Sequence, residues 1–266
     1  VQTQVPGFAP FPGLPQPGLA DPLEGLAEPL AAAVQRFAEQ VAGEKLERVA
    51  VVTEAGDLEE LENIHPEAAK RFRVEPAAWL GATERASLVV HSHVSPDRLS
   101  WTPSPQDQRT QIAQCLPWAI VPPDGEAFVF GLDRPDRPLE GRGFRFGVDD
   151  CWQLFRDAWS RWAGEPLPNF ARRWRWWLDG EPLIERGLHT AKFYAVPTDE
   201  MQRGDGVLFK VGGEVWNHIG FINAPGEMLH HPGPVHPYDS SMISLVSEME
   251  RLLEGPHQIM RHEAHR

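Results

Sequence analysis

Two groups of residues on this chain have the types and spacing of catalytic machinery. His91-Ser92-His93 is followed by Ser104-Pro105-Gln106-Asp107. Asp150-Cys151-Trp152 is followed by Asn217-His218-Ile219-Gly220 and by Leu229-His230-His231. The first group suits a metal-bound water. Side chains two residues apart on a strand point to the same side, so the imidazoles of His91 and His93 can share one cation. Asp107 can add an oxygen, which leaves the fourth position of a tetrahedral zinc ion to water. Zinc acidifies that water, and a nearby carboxylate can take its proton. The second group suits a thiol nucleophile. Asp150 is a natural N-cap, so Cys151 would open a helix, where the dipole and free N–H groups favour thiolate over thiol. His218 could deprotonate Cys151 while His230 orients the imidazole, with His231 as an alternative third member.

The elements that must hold these residues show as hydrophobic periodicity. Leu26, Leu30, Val34, Phe37 and Val41 recur at helical spacing, and Gly43 follows as a stop. Glu47 to Thr53 reads as a buried strand, and Ala86 to Val90 as a second that delivers the chain to His91. Trp118–Val121 and Ala127–Phe130 read as two more, joined by the turn Pro122-Pro123-Asp124-Gly125. Cys151, Leu154, Phe155, Ala158, Trp159 and Trp162 share one helical face. Gly206–Lys210 and His218–Ile222 read as strands. Trp174, Trp176 and Trp177 suit core or interface packing, or a platform for sugar or peptide. The polar, proline-marked stretch at residues 134–142 is the expected boundary between domains at 23–138 and 139–266. Residues 1–22 form a Pro-rich segment, either a disordered tail or an extended arm that docks Phe8, Phe11 and Leu14 on a partner. There is no internal repeat.

At 266 residues the chain has room for one large domain or two ordinary ones. A formal net charge of −13 argues against broad attraction to nucleic acid or anionic membrane. No apolar run approaches membrane-spanning length. The absence of Lys or Arg before Arg36, with no compact apolar core, gives the N-terminus no signal-peptide character. Two cysteines, Cys115 and Cys151, are too few for a disulfide framework and point to a reducing compartment. A bridge between them would consume the candidate nucleophile.

The first group resembles the JAMM (JAB) metalloprotease family, whose pattern is a Glu, then His-Ser/Thr-His, then Ser-x-x-Asp. The resemblance implies His91, His93 and Asp107 as ligands of Zn2+, Ser104 as the serine that helps hold the oxyanion, and Glu47 as general base, with Glu44 as the alternative. Two departures stand out. The interval between His93 and Ser104 is longer than the family's and contains Pro96 and Pro103, which implies a longer loop over the metal. Val49-Ala50 replaces the family's Cys-Gly. The second group is similar to NlpC-type cell-wall cysteine peptidases, through Asp-Cys-x-x-Leu, Arg203-Gly204-Asp205-Gly206-Val207-Leu208-Phe209, Asn-His-x-Gly and Leu-His-His in that order. This implies Cys151 as nucleophile, His218 as base and His230 as orienting residue, acting on peptidoglycan stem peptides next to D-glutamate and diaminopimelate. Trp152-Gln153 stands where that family often has Ser-Gly.

The two in this order resemble the tail-tip assembly proteins of long-tailed bacteriophages, over roughly residues 25–266. Asn63-Ile64-His65-Pro66, Phe72-Arg73-Val74-Glu75-Pro76, the run Gly141 to Trp152 and the C-terminal Met260 to His265 add to the likeness. The implied fold is α+β in two domains, a JAMM-like α/β/α sheet domain and a papain-like NlpC-type α+β domain. The implied partners are hub and tape-measure type tail proteins and peptidoglycan, with no nucleic acid and no membrane-spanning segment. The implied locations are the virion tail tip and, during assembly, the host cytoplasm. A tail-tip scaffold with dormant sites is the competing reading. A bacterial wall-remodelling enzyme is disfavoured by the missing export signal.

Overall fold

The computed structural model describes residues 23–132, 137–234, 236–250 and 252–265. The arm expected at residues 1–22 and the first part of the expected boundary at 134–142 fall outside them. The fold is mixed α and β, built on two separate larger sheets and a small ribbon.

The first sheet has the order β2-β1-β3-β4-β5. Its strands are β1 (Val49–Val52), β2 (Leu58–Leu61), β3 (Leu88–Ser92), β4 (Trp118–Val121) and β5 (Phe128–Phe130). Only β3 and β4 run parallel; the other neighbours are antiparallel. β1, β3, β4 and β5 are buried at every position, because both faces of the sheet are covered. That is why they read as continuous apolar runs rather than alternating ones. On one face, Ala50, Val52, Leu88, Val90, Ala119 and Val121 pack against Leu30, Ala33, Val34, Phe37 and Val41 of α1 (Glu28–Val41). On the other, Val49, Val51, Val89, Trp118 and Ile120 pack with Phe72 and with Trp79 of α2 (Pro76–Thr83). α3 (Pro105–Gln114) starts at the N-cap Ser104 and ends at Cys115, which takes a left-handed conformation (φ 55°).

β3 runs past its expected end at Val90 and through His91 to Ser92. The Ser92 hydroxyl accepts from the Arg48 N–H at 2.9 Å, tying the strand end to the entrance of β1. Glu47, expected to open that strand, instead precedes β1. Its N–H donates to Ala68 O (2.7 Å) and its carbonyl accepts from Asn63 Nδ2 (2.7 Å), so two loop contacts fix it where a ladder would have.

The second sheet is antiparallel throughout, in the order β12-β10-β9-β8-β13-β7. Its strands are β7 (Phe193–Val196), β8 (Gly206–Phe209), β9 (His218–Ala224), β10 (Glu227–His230), β12 (Leu245–Glu248) and β13 (His257–His262). The ribbon pairs β6 (Gly143–Arg145) with β11 (Tyr238–Ile243). α4 (Cys151–Ala163) buries Trp152, Leu154, Phe155, Ala158 and Trp159 against Ile219, Phe221 and Leu229 of this sheet and against Leu188 of α5 (Leu183–Thr190). Gly164, with φ 76°, stops α4 in a left-handed cap. Gly220 in β9 faces the Met228 side chain so closely that a Cβ would sit 2.2 Å from its sulfur. Trp176 is fully packed, and Trp174 and Trp177 are half-buried against the same core, which is the packing role of the three tryptophans.

Candidate active sites

The first site forms where β3 ends and α3 begins. His91 lies within the buried strand, against Phe72 and Trp118 with ring centroids 4.9 and 5.6 Å away. His93 sits just past the strand end. The period-two geometry brings their Nε2 atoms to 3.0 Å. Asp107, in the first turn of α3, places Oδ1 3.6 Å from His91 Nε2 and Oδ2 3.6 Å from His93 Nε2. Donors bound about 2.0–2.2 Å from a tetrahedral zinc lie about 3.3–3.6 Å from one another. The trio therefore has the donor chemistry of three corners of such a site, with the nitrogen–oxygen distances at that spacing and the two Nε2 atoms slightly closer.

Neighbouring groups hold the trio in place. His93 Nδ1 meets Ser100 O at 2.8 Å, which makes Nδ1 a donor and turns Nε2 towards His91 and Asp107, the orientation a shared cation needs. Ser100 belongs to the short turn Arg98–Trp101, inside the unusually long interval before Ser104. The extra residues thus fold into a turn that supports His93. Ser104 and Asp107 form a capping box: Ser104 Oγ accepts from Asp107 N (3.2 Å), and Asp107 Oδ2 accepts from Ser104 N (2.7 Å). Ser104 Oγ keeps its own proton to donate. A Ser104→Ala chain is expected to lose about 1 kcal/mol of stability, read as a lower urea midpoint, through loss of that cap.

The electrostatics of the pocket separate its members. Burial holds His91 neutral, its pKa lowered to about 3. Burial opposes charge on His93 as well, but the hydrogen bond and attraction from Asp107, aided by Glu47, outweigh it and raise its pKa. Asp107 is pushed up by burial but held below its ordinary range by both histidines and Ser104. Glu47 is buried, and burial raises its pKa to about 7, against the attraction of His93. A carboxylate with that pKa, within electrostatic reach of His93 and Asp107, is suited to accept a proton near neutrality. Glu44, the alternative, is half exposed and pairs with Arg48 (3.7 Å).

The second site lies at the N-terminus of α4. Asp150 Oδ1 accepts from Gln153 N (3.0 Å) and Oδ2 from Gly147 N (2.8 Å), so the cap leaves Cys151 as the first helical residue. The backbone of Ile219, the residue after His218, favours negative charge on the Cys151 sulfur. His218 Nε2 meets His230 Nδ1 at 3.3 Å across β9 and β10, and His230 Nε2 meets Ser247 Oγ at 3.0 Å. Asn217 closes the loop before His218, donating to Val211 O (2.6 Å) and accepting from Val211 N (2.7 Å). His231 stands apart from this relay. It is buried edge-on to Phe144, and neither ring nitrogen has a partner among the described residues.

One expectation is corrected. The helix N-terminus does not make Cys151 a resting thiolate. Burial, with the Asp150 charge, pushes the thiol up to about 12, and the Ile219 and Trp152 amides offset only part of this. The histidines are neutral too: burial lowers His218 to about 3 and His230 and His231 to about 4. Cys115 is exposed, and both cysteines are free thiols.

Buried neutral histidines make stability depend on acid. Above pH 6.5 His231 is neutral folded or unfolded, so it contributes no pH dependence. As pH falls from 6.5 towards 4 the unfolded chain gains a proton that the folded one refuses, and stability drops. Between pH 7.5 and pH 5 this single group accounts for about 2 kcal/mol. A His231→Leu chain should lose that much less stability over the same interval, measured by urea unfolding at both pH values.

Sequence reasoning missed Ser247, Arg172 and Gln108. Arg172 grips Asp150 through Nε (2.9 Å) and Nη2 (2.7 and 2.6 Å). Gln108 holds the Arg172 backbone. None of the three carries a local signal, since each is defined by a partner far along the chain.

Residues 125–248 match the model of the NlpC/P60 family, a span that includes Cys151, His218 and His230. The chain is 37% identical over 158 residues to tail tip assembly protein K of Escherichia phage lambda, covering 59% of this chain and 76% of that protein. It is 29% identical over 177 residues to tail tip assembly protein K of Escherichia phage N15, covering 64% of this chain and 70% of that one. A solved NlpC/P60 family protein from Bacillus cereus aligns over 81% of this chain but less than two thirds, 61%, of its own, with 13% identity and a TM-score of 0.28. The chain belongs to the tail tip assembly protein K family, and its residues 125–248 are similar to NlpC/P60 proteins.

Proposed function

We propose that this chain is a phage tail-tip component that cuts peptidoglycan stem peptides with Cys151, opening the host wall locally. Cys151 is the nucleophile, His218 takes its proton, and His230 orients His218 while Ser247 anchors His230. The observation that carries this reading is the His218–His230–Ser247 relay on the sheet against which the Cys151 helix packs, inside the span matching NlpC/P60. The other tail proteins it meets, of hub and tape-measure type, are met first in the host cytoplasm and then in the virion tail tip. No helix among the described residues is long and apolar enough to cross a membrane.

The same proposal assigns His91, His93 and Asp107 to Zn2+, in a JAMM-like domain spanning residues 23–138, ahead of an NlpC-type domain at 139–266. Bound there, zinc would supply an acidified water for peptide hydrolysis. Glu47 would hold that water's proton, and the Ser104 hydroxyl would donate to the oxyanion. The donor set and its spacing support this assignment.

Digestion of purified peptidoglycan, read by mass spectrometry, tests the cysteine activity. Stem-peptide fragments released by the wild type and absent with Cys151→Ala are the expected result, and their masses identify the bond. A tail-tip scaffold with dormant sites is the second reading, favoured by the thiol's burial and high pKa. Infectious particles assembled with Cys151→Ala, together with no fragments from wild type, would select it.

A further inference from the structure

We propose that Gln108 is a positioning residue for the Cys151 site, so that a cation held by His91, His93 and Asp107 is felt at the Cys151 thiol. The inference rests on the trio binding a cation and on Cys151 being the reactive thiol.

Gln108 follows Asp107 in the first turn of α3, and successive helical residues point about 100° apart. Asp107 faces the trio while Gln108 faces the other half of the chain. Its side chain is buried and fully engaged. Nε2 donates to Pro103 O (3.1 Å) and Arg172 O (2.9 Å), and Oε1 accepts from Arg172 N (3.1 Å). One planar amide thus clasps both backbone groups of Arg172, whose guanidinium grips Asp150. Gly147, whose N–H also holds Asp150, backs onto the same amide: a Cβ there would lie 3.1 Å from Gln108 Nε2. Two of the groups that fix the N-cap of the Cys151 helix therefore rest on the residue beside a ligand.

A second route starts from His93. Its Nδ1 is held by Ser100 O, and the next carbonyl, Trp101 O, accepts from Arg145 Nη1 at 2.8 Å. The Arg145 guanidinium lies between the rings of Phe128 (3.9 Å) and Tyr238 (4.2 Å). Arg145 opens the turn that leads through Gly147 to Asp150, closed by Asp149 N donating to Arg145 O (2.8 Å). Two of the three ligands, Asp107 and His93, thus connect to Asp150 through chain neighbours and directional hydrogen bonds, which move together or break. A bound cation fixes the first turn of α3 and keeps Arg172 on Asp150. That neutralises the carboxylate that most directly opposes a thiolate at Cys151.

The test uses the full chain with Cys115→Ser, so that Cys151 is the single thiol. Its alkylation by iodoacetamide is timed with saturating zinc and with dipicolinate, while zinc binding is measured separately by competition with a chromophoric chelator. Zinc is expected to speed alkylation about fivefold. Gln108→Met should still bind zinc but show a clearly smaller change of rate than wild type, because only the Arg145 route remains. Zinc that binds wild type without changing the rate overturns the coupling alone. Zinc that does not bind overturns it together with the cation reading. Slowing by zinc, the mark of metal on Cys151 and His218 themselves, or a zinc response undiminished in Gln108→Met, also overturns it. Where Gln108→Met fails to fold, the wild-type comparison decides.

Discussion

A His218→Ala chain is expected to release stem-peptide fragments from peptidoglycan about 10²–10⁴-fold more slowly than wild type. The magnitude follows from the resting state of the site. With its pKa near 12, the Cys151 thiol does not ionise at neutral pH, so a base must take its proton as the bond to substrate forms. His218 is neutral and available at that pH. His230 and Ser247 act on the orientation of His218, one and two hydrogen bonds removed. His230→Ala should therefore cost less than His218→Ala, and Ser247→Ala less again. Initial rates of fragment release for the four chains check the order; an equal loss at Ser247 and His218 would refute the relay.

The largest stability effect is expected at Arg172. Asp150 and Arg172 are both almost completely buried, and the guanidinium is the carboxylate's counter-charge. Arg172→Met would strand a buried negative charge, at a cost of about 3–5 kcal/mol. Asp150→Asn in the same chain should recover part of that loss, since no charge is then left uncompensated, while the side-chain oxygen can still cap α4. Urea unfolding of wild type, Arg172→Met and the double variant measures the cycle. A double variant less stable than Arg172→Met would show that the pair acts other than as charge and counter-charge.

What could be read in the sequence was what local pattern encodes. α1 showed through its apolar stripe, and β1, β3 and β4 as apolar runs, because both faces of their sheet are covered. The His91-Ser92-His93 pair followed from strand periodicity. α3 escaped, since Pro105 to Gln114 has no apolar stripe and the residues it buries are Asp107, Gln108 and Gln111. β2, with its Leu-Glu-Glu-Leu sequence, and the half-exposed β11 and β12 lack a clear alternation and escaped for the same reason. At the cysteine site, the cap and the order of the histidines were legible. The ionisation state was not: a helix terminus supplies a partial charge of about +0.5, while burial and the Asp150 carboxylate depend on everything packed around the thiol.

The junction through Gln108, Arg172 and Arg145 also limits how such chains can be shuffled. A seam held by apolar area tolerates sliding and substitution, but a seam of directional bonds between buried groups matches only one partner surface. Exchange between related tails is therefore expected to succeed only where the side chains at 108 and 145 still meet the backbone at 172 and 101. The two sheets are therefore expected to be exchanged as one block, because the bonds between them are specific to each pair.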